Sequence, residues 1–184
     1  MKKKSKVISL AIIFILVIVI GLRYNYINNK YPQAPVEAYN LGDTFEYRGI
    51  TVKVEKAKFI SDNEIKNMNL EESTVFENDE RKAIVATVNF KNTSSKEQSI
   101  ECDFFEAESI DWHNGLNYEM FIAINEEEAS PSLILAPNEE ITLDLPYEMF
   151  DFQYDKSSWK RIEEVQFRLT LDIYPVKKCV KLEI

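Results

Sequence analysis

The sequence is poor in the residue types on which most enzyme active sites depend. It contains one histidine, His113, and two cysteines among 184 residues. Any Ser-His-Asp or Cys-His arrangement would need His113, which lies in a predicted turn with no nucleophile on a strained elbow nearby. No cysteine and histidine residues are spaced as zinc ligands are. We therefore predict no catalytic residue, no metal site and no cofactor.

Glycine is also scarce, with four residues in the chain, which excludes collagen-like and glycine-linker structure. Carboxylates are plentiful, but no stretch has the Asp-x-Asx-x-Asx-Gly spacing of a calcium loop. We expect them to lie in solvated acidic loops, and loops that converge in space to bind calcium are the alternative. A carboxylate pair that cleaves glycosidic bonds is the enzyme alternative that the sequence leaves open.

The start of the chain has a net positive charge, whereas the rest has a net negative charge. The sequence has 22 basic and 31 acidic residues, and the first 36 positions hold six of the basic residues and none of the acidic ones. The remainder therefore has 16 basic and 31 acidic residues, a net charge of −15. Because such a domain is repelled by phosphate backbones, we predict no nucleic-acid partner.

One apolar run, Val7–Leu22, contains sixteen consecutive residues without a charge. At a rise of about 1.5 Å per residue, a helix over this run covers most of a hydrocarbon core of about 30 Å. We predict a transmembrane signal anchor over residues 7–27 that binds the cell membrane. Its anchor residues include Val7, Ile13, Leu16, Ile20 and Leu22.

Four lysines precede the apolar run: Lys2, Lys3, Lys4 and Lys6. Since positive charge is retained on the cytoplasmic side, residues 1–6 are predicted to form a cytoplasmic tail. The alternative is a cleaved signal peptide, but no small-x-small cleavage pattern follows the run, and no nearby cysteine permits lipoprotein processing. We predict a single-pass cell-membrane protein with an extracellular C-terminal domain.

Residues 28–39 contain Pro32 and Pro35 and no apolar period, which predicts an extended extracytoplasmic linker. Residues 40–184 are predicted to form one domain of short strands, because polar and apolar residues alternate through much of it. In the first half of the domain, local patterns predict a bulge near Glu55-Lys56 and a capping box at Ser61 and Glu64. In the middle they predict a hairpin turn at Asn114-Gly115 and a strand over Asn117–Ile124. Toward the end they predict a strand end or edge at Pro146, a helical turn over Ser157–Arg161 and a strand over Val165–Ile173.

The two cysteines, Cys102 and Cys179, leave two alternatives open. Cys102 alternates in phase with Ile100 and Phe104, so these three side chains are predicted to face the core. Cys179 is out of phase with the apolar residues that follow it, which disfavours the geometry of a disulfide. Two unpaired thiols that pack as small apolar residues are the other alternative.

The order of four segments resembles the immunoglobulin-like domains of Gram-positive cell-envelope proteins, which are catalogued largely as domains of unknown function. The segments are LGD-x-F, ITVKVEKAKF, RKAIVATVNFKNTSSKEQSI and LAPNEEITLDLPYEM. The chain departs from that pattern at Asn138, where the family usually has glycine. The resemblance covers Leu41–Ile184 and implies an all-β fold: an immunoglobulin-like antiparallel β-sandwich of about seven to eight strands, preceded by one transmembrane helix. It implies no catalytic residues.

Aromatic residues are concentrated in Tyr147–Trp159, a segment without strand alternation. Packing over an open end of the sandwich is one interpretation. The other is a surface that binds a partner through Phe150, Phe152, Tyr154 and Trp159. We therefore predict a membrane-tethered extracytoplasmic binding or accessory module of the bacterial envelope, whose partner is an envelope protein or peptide. The alternative is an envelope hydrolase that uses carboxylates.

Overall fold

The computed structural model describes residues 2–68, 70, 79–125 and 129–184. The chain divides into two compact units, Met1–Pro35 and Val36–Ile184. The first is dominated by helix α1 (Lys2–Lys30), which includes the predicted anchor residues Val7, Ile13, Leu16, Ile20 and Leu22. Its segment Leu10–Lys30 is long and apolar enough to cross a membrane, as signal sequences also are, and no part of it is buried within the protein.

The described part of the second unit contains eleven strands. They are β1 (Val36–Tyr39), β2 (Thr44–Tyr47), β3 (Ile50–Ser61), β4 (Arg81–Lys91), β5 (Gln98–Glu101), β6 (Glu106–Glu108), β7 (His113–Gly115), β8 (Ser132–Leu135), β9 (Glu140–Phe150), β10 (Phe167–Asp172) and β11 (Lys177–Leu182). Three short α-helices accompany them: α2 (Asp62–Lys66), α3 (Tyr118–Ile124) and α4 (Lys156–Trp159).

The strands form two main sheets. One sheet has the antiparallel order β2-β3-β4-β9, the other has the order β1-β11-β10-β6-β7, and β5 pairs with β8 separately. Apolar side chains from both main sheets, such as Phe90, Leu145, Phe167 and Leu169, belong to one hydrophobic core. The fold is therefore a β-sandwich, as the sequence predicts.

Two features of the predicted architecture were wrong. The strand count is eleven among the described residues and not seven to eight, because several strands have only three or four residues. The sandwich is not wholly antiparallel either, since β1 pairs in parallel with β11.

The predicted linker over residues 28–39 overlaps both the end of α1 and all of β1. Sequence patterns miss β1 because it has four residues and directly follows Pro35. The immunoglobulin-like type of the sandwich stays a prediction.

Several local predictions are confirmed. The pairing of β3 with β4 shifts register between Val54 and Lys56, which is the predicted bulge. Ser61 and Glu64 form the capping box of α2, and α4 supplies the predicted helical turn. Pro146 lies on β9, an edge strand of its sheet, where a missing N–H is tolerated. It does not end that strand, which continues to Phe150.

Residues 113–124 differ from the prediction. Asn114 and Gly115 lie within β7 and not in a turn, and the predicted strand over residues 117–124 is the helix α3. The side chain of Asn117 accepts a hydrogen bond from the Met120 N–H at 2.9 Å, which caps the helix. Met120 and Phe121 are fully buried, so tertiary packing decides the conformation of this apolar segment.

Asparagine residues at α3 and β7 form hydrogen bonds with the backbone at the outer edge of β9. Asn125 bonds both the N–H and the carbonyl oxygen of Asp144, at 2.9 and 2.8 Å. Asn114 donates to the Glu148 carbonyl oxygen at 2.7 Å, and the Asn117 N–H donates to the Pro146 carbonyl oxygen at 2.9 Å. This part of β9 is therefore closed to pairing with another strand.

Charged side chains join the helices to the outer face of the same sheet. The carboxylate of Glu148 accepts from Asn117 Nδ2 at 2.8 Å, and Arg81 Nη1 lies 3.6 Å from it. Arg81 also bonds Asp62 of α2 through Nε at 3.3 Å. Burial raises the pKa of Glu148, and Arg81 and Asn117 oppose that rise. The network links α2 and the start of α3 to strands β4 and β9.

Both cysteines are buried and unpaired. Cys102 belongs to the core, whereas Cys179 lies on β11 opposite Thr170, on the outer face of the five-stranded sheet. Burial raises the pKa of both thiols, which makes them poor nucleophiles. Phe104 does not follow Cys102 into the core. The one-turn helix Cys102–Phe104 interrupts the alternation, leaving Phe104 exposed and Phe105 buried.

A pair of substitutions tests the alternation along β10. Leu169→Ala should lower the free energy of unfolding by about 2–5 kcal/mol, because Leu169 is fully buried in the core. Its neighbour Thr170 is 3% exposed on the opposite face, and its hydroxyl has no hydrogen-bond partner among the described residues. Thr170→Val should therefore change stability by less than about 1 kcal/mol.

The measurement is urea unfolding of the full chain in a neutral detergent. Equal losses for the two variants would contradict the orientation of β10.

Candidate functional site

The hairpin loop, residues 109–112, joins β6 to β7 and is fixed at its base. The Ser109 N–H donates to the Trp112 carbonyl oxygen at 2.7 Å. Trp112 packs edge-on against Phe167 in the core, with 5.8 Å between ring centroids. Its indole nitrogen donates to Gln153 Oε1 at 3.2 Å. The loop nevertheless presents Ile110 to solvent, with 99% of that residue exposed.

A cleft of about 350 Å³ lies between the hairpin loop and the segment 154–166, and we name it the hairpin cleft. Its apolar lining comes from Ile110, Val165 and the ring of Tyr154. A further depression of about 460 Å³ borders the same loop beside His113, which is exposed on β7. The cleft combines an apolar wall with polar groups, as sites that hold a side chain of a partner do.

Three charged side chains line the hairpin cleft, and only one of them forms an ion pair among the described residues. The Glu108 carboxylate pairs with Lys177 Nζ at 2.7 Å. Asp111 and Arg168 also line the cleft, and neither has an ion pair within the described part of the chain. The hydroxyl of Tyr154 is buried without a hydrogen-bond partner there, and burial raises its pKa. An occupant would therefore meet one unpaired charge of each sign beside the apolar wall.

The four aromatic residues predicted to bind a partner do not form one exposed surface. Trp159 is 8% exposed and belongs to the core, and its indole nitrogen donates to Glu80 Oε2 at 3.0 Å. Tyr154 is partly buried against the same core. Phe150 is partly buried at the end of β9 and stacks on Phe152, which is 56% exposed, at 5.4 Å between ring centroids. Of the four, Tyr154 lines the hairpin cleft.

Trp159 therefore cannot serve as an exposed anchor, and the physical reason is its helix. Asp155 caps α4 by accepting from the N–H groups of Ser157 and Ser158, at 2.8 and 3.0 Å. The one-turn helix that follows directs Trp159 toward Tyr154 and the core, with 5.8 Å between the two ring centroids. Composition reveals that the segment is aromatic, but not which rings point inward.

Sequence reasoning missed two places where apolar side chains are exposed beside a cleft, one at Ile110 and the other at Phe104 and Ile173. Ile110 stands between Ser109 and Asp111, and an isolated isoleucine in a polar loop was the available indication. At the opposite end of β10, Phe104 and Ile173 are exposed beside a smaller cleft of about 260 Å³, next to the exposed Tyr174. Among the described residues, no group of three histidine, cysteine, aspartate or glutamate side chains is arranged to hold a metal ion.

The two ends of the aromatic segment should respond differently to truncation. Trp159→Ala should lower the free energy of unfolding by about 3–5 kcal/mol, because it empties a core position. Phe152→Ala should cost about 1 kcal/mol or less, since the side chain is more than half exposed. Urea unfolding of both full-length variants in detergent provides the comparison. A larger loss for Phe152→Ala would contradict the assignment of Trp159 to the core.

Comparison with known proteins places the chain in a family. A family model described as a domain of unknown function, DUF5028, matches residues 33–178. The structure is similar to that of the yjhA protein from Bacillus subtilis at 12% identity and a TM-score of 0.49, with 79% of this chain and 99% of that chain covered. It is also similar to an uncharacterized beta-sandwich protein from Clostridium difficile 630 at 14% identity and a TM-score of 0.48, with 82% and 97% covered.

A conserved hypothetical protein from Bacillus anthracis is similar at 13% identity and a TM-score of 0.47, with 79% of this chain and 95% of that chain covered. Among curated proteins no significant match is found. Because the family model spans most of the chain, the protein belongs to the DUF5028 family.

Proposed function

We propose that this protein is a membrane-tethered binding module of the bacterial cell envelope, which holds a peptide or protein segment in the hairpin cleft. The proposal has three parts: the tether, the orientation and the binding site. Membership of a β-sandwich family and an N-terminal apolar helix support the general class.

The tether rests on the composition of α1. Ile13, Leu16 and Ile20 lie on one side of this helix and Leu22 on the opposite side, and all four side chains are exposed. A helix that is apolar all round suits lipid better than water. The lysines at positions 2–4 and 6 precede the apolar run Val7–Leu22 of this helix, so the positive-inside rule favours a cytoplasmic N-terminus and an external sandwich.

The observation that carries the binding role is the hairpin cleft itself. Ile110 is fully exposed, yet it does not stand alone, because Val165 and Tyr154 line the same cleft. Trp112 fixes the base of the loop in the core, so the loop presents Ile110 from a rigid support. Apolar side chains gathered around a concave surface are typical of sites that bind a partner.

An extended peptide segment is the occupant that this cleft favours. One apolar side chain of the segment would contact Ile110 and Val165, while Asp111 and Arg168 would meet polar or charged groups on either side. No observation on the described residues favours the alternative of a carboxylate hydrolase.

A photo-crosslinking experiment tests the binding site in intact cells. A photoreactive residue at position 109, beside Ile110, should crosslink the full chain to a discrete partner. Ile110→Asp should reduce that crosslink at least about tenfold, because a carboxylate cannot replace a buried apolar contact at an interface.

Ile173→Asp is the matched control, since Ile173 is 66% exposed and follows the far end of β10. It should leave the crosslink unchanged. Loss of the crosslink in Ile173→Asp with retention in Ile110→Asp would move the binding surface to the Phe104 and Ile173 end. Absence of any crosslink from position 109 would contradict the role of the hairpin cleft.

Protease treatment of intact protoplasts tests the orientation separately. We expect cleavage to remove the sandwich and to leave a fragment that contains α1, because residues 31–35 connect two compact units. Immunoblotting with an N-terminal tag detects the fragment. Complete protection of the sandwich in intact protoplasts, with cleavage after lysis, would overturn the external placement.

A further inference from the structure

The outer face of the five-stranded sheet carries a pair of like charges. Along β10, Phe167, Leu169 and Leu171 point into the core, so Arg168 and Thr170 point away from it. On β11, Val180 and Leu182 are core residues, and Cys179 and Lys181 point to the same outer side. The outer face of the sheet therefore includes Arg168 and Thr170 from β10 and Cys179 and Lys181 from β11.

Arg168 and Lys181 lie directly opposite each other in the antiparallel pairing of β10 with β11. Both side chains are exposed. Residues at such positions have Cβ atoms about 4.5–5.5 Å apart, and like charges there are destabilising. In a unit with a net charge of −15, two neighbouring cations that form no ion pair among the described residues need an explanation.

The carboxylate that could relieve this repulsion is engaged elsewhere. Glu108 of β6 is in register with Arg168 on its other side. Its two oxygens nevertheless bond Lys177 Nζ, at 2.7 and 2.8 Å. Because β10 lies between β6 and β11, this ion pair crosses over the outer face of β10.

Three further carboxylates lie near these cations without pairing with either of them. Glu106 is opposite Thr170, Glu183 is two residues beyond Lys181, and Asp111 lines the hairpin cleft together with Arg168. None of the three forms an ion pair with Arg168 or Lys181 within the described part of the chain. Burial raises the pKa of Cys179, Arg168, Lys177 and Lys181 oppose that rise and Glu108 adds to it, so all four charges lie near this thiol.

We propose that Arg168 and Lys181 form a binding site for a single phosphate group. A guanidinium offers two parallel N–H donors to an oxyanion, and an ammonium contributes further donors and charge. A phosphate between the two side chains would replace repulsion by two attractions. The net charge of −15 repels long polyanions, so the ligand is a small phosphate or one lipid headgroup and not a polymer.

The two proposed sites share Arg168, which also lines the hairpin cleft, but Lys181 does not line that cleft. Variants at Lys181 therefore test the phosphate site, while the Ile110 variants test the peptide site. Failure of one proposal leaves the other standing.

Thermal unfolding of the full chain in neutral detergent tests the proposal. We compare sodium phosphate with sodium chloride at equal ionic strength and expect a saturable rise in Tm of about 3 °C in phosphate. Lys181→Glu should abolish this difference. It should also raise Tm in chloride, because it supplies the missing carboxylate opposite Arg168.

Two variants serve as controls. Lys181→Arg keeps the cation and should keep the phosphate response. Lys96→Glu changes the net charge equally at an exposed lysine in the loop after β4, and should also keep it. Phosphate stabilises many proteins by exclusion from their surfaces, so the difference between the wild type and Lys181→Glu is the relevant quantity.

A second arm separates the two sources of phosphate. Mixed micelles that contain phosphatidylglycerol are compared with micelles of the neutral detergent alone. A Lys181-dependent rise in Tm with the lipid and none with inorganic phosphate assigns the site to a headgroup, and the reverse assigns it to a free phosphate. Equal responses of the wild type and Lys181→Glu in both arms would overturn the proposal.

Discussion

The burial of one face of β10 in the shared core is the constraint on which the other features depend. Phe167, Leu169 and Leu171 occupy that core, and Phe167 also supports Trp112 at the base of the hairpin loop. Since side chains alternate along a strand, burying these three directs Arg168 outward, where it lines the hairpin cleft and faces a lysine. The apolar alternation of one strand therefore sets both candidate surfaces.

The sandwich also closes surfaces that would otherwise be open. Asparagines 114, 117 and 125 satisfy the edge of β9, and α2 and α3 cover part of the outer face of its sheet. Binding through strand addition is thereby disfavoured at that edge, and recognition by side chains in the hairpin cleft is favoured. The two proposed ligands differ in chemistry because one surface is concave and apolar, while the other is a pair of exposed cations on a sheet face.

Local sequence patterns predicted secondary structure correctly where the conformation depends on residues that are close together in the chain. The capping box at Ser61 and the bulge after Val54 were both predictable, because they depend on neighbouring residues or on a single change of phase. Prediction failed for residues 117–124, where an apolar segment suits a strand or a helix equally well. It failed for Trp159 too, since the direction of a ring after a one-turn helix depends on which neighbours fill the core.

The sequence by itself determined the apolar helix, the β-rich composition and the charge asymmetry, because each depends on residue types and their period along the chain. Only the tertiary structure decided that β1 pairs with β11, that Ile110 borders a cleft and that Arg168 faces Lys181. Each of these facts joins residues far apart in the chain. Such contacts depend on strand order and register, which the core fixes and which a pattern within one segment does not contain.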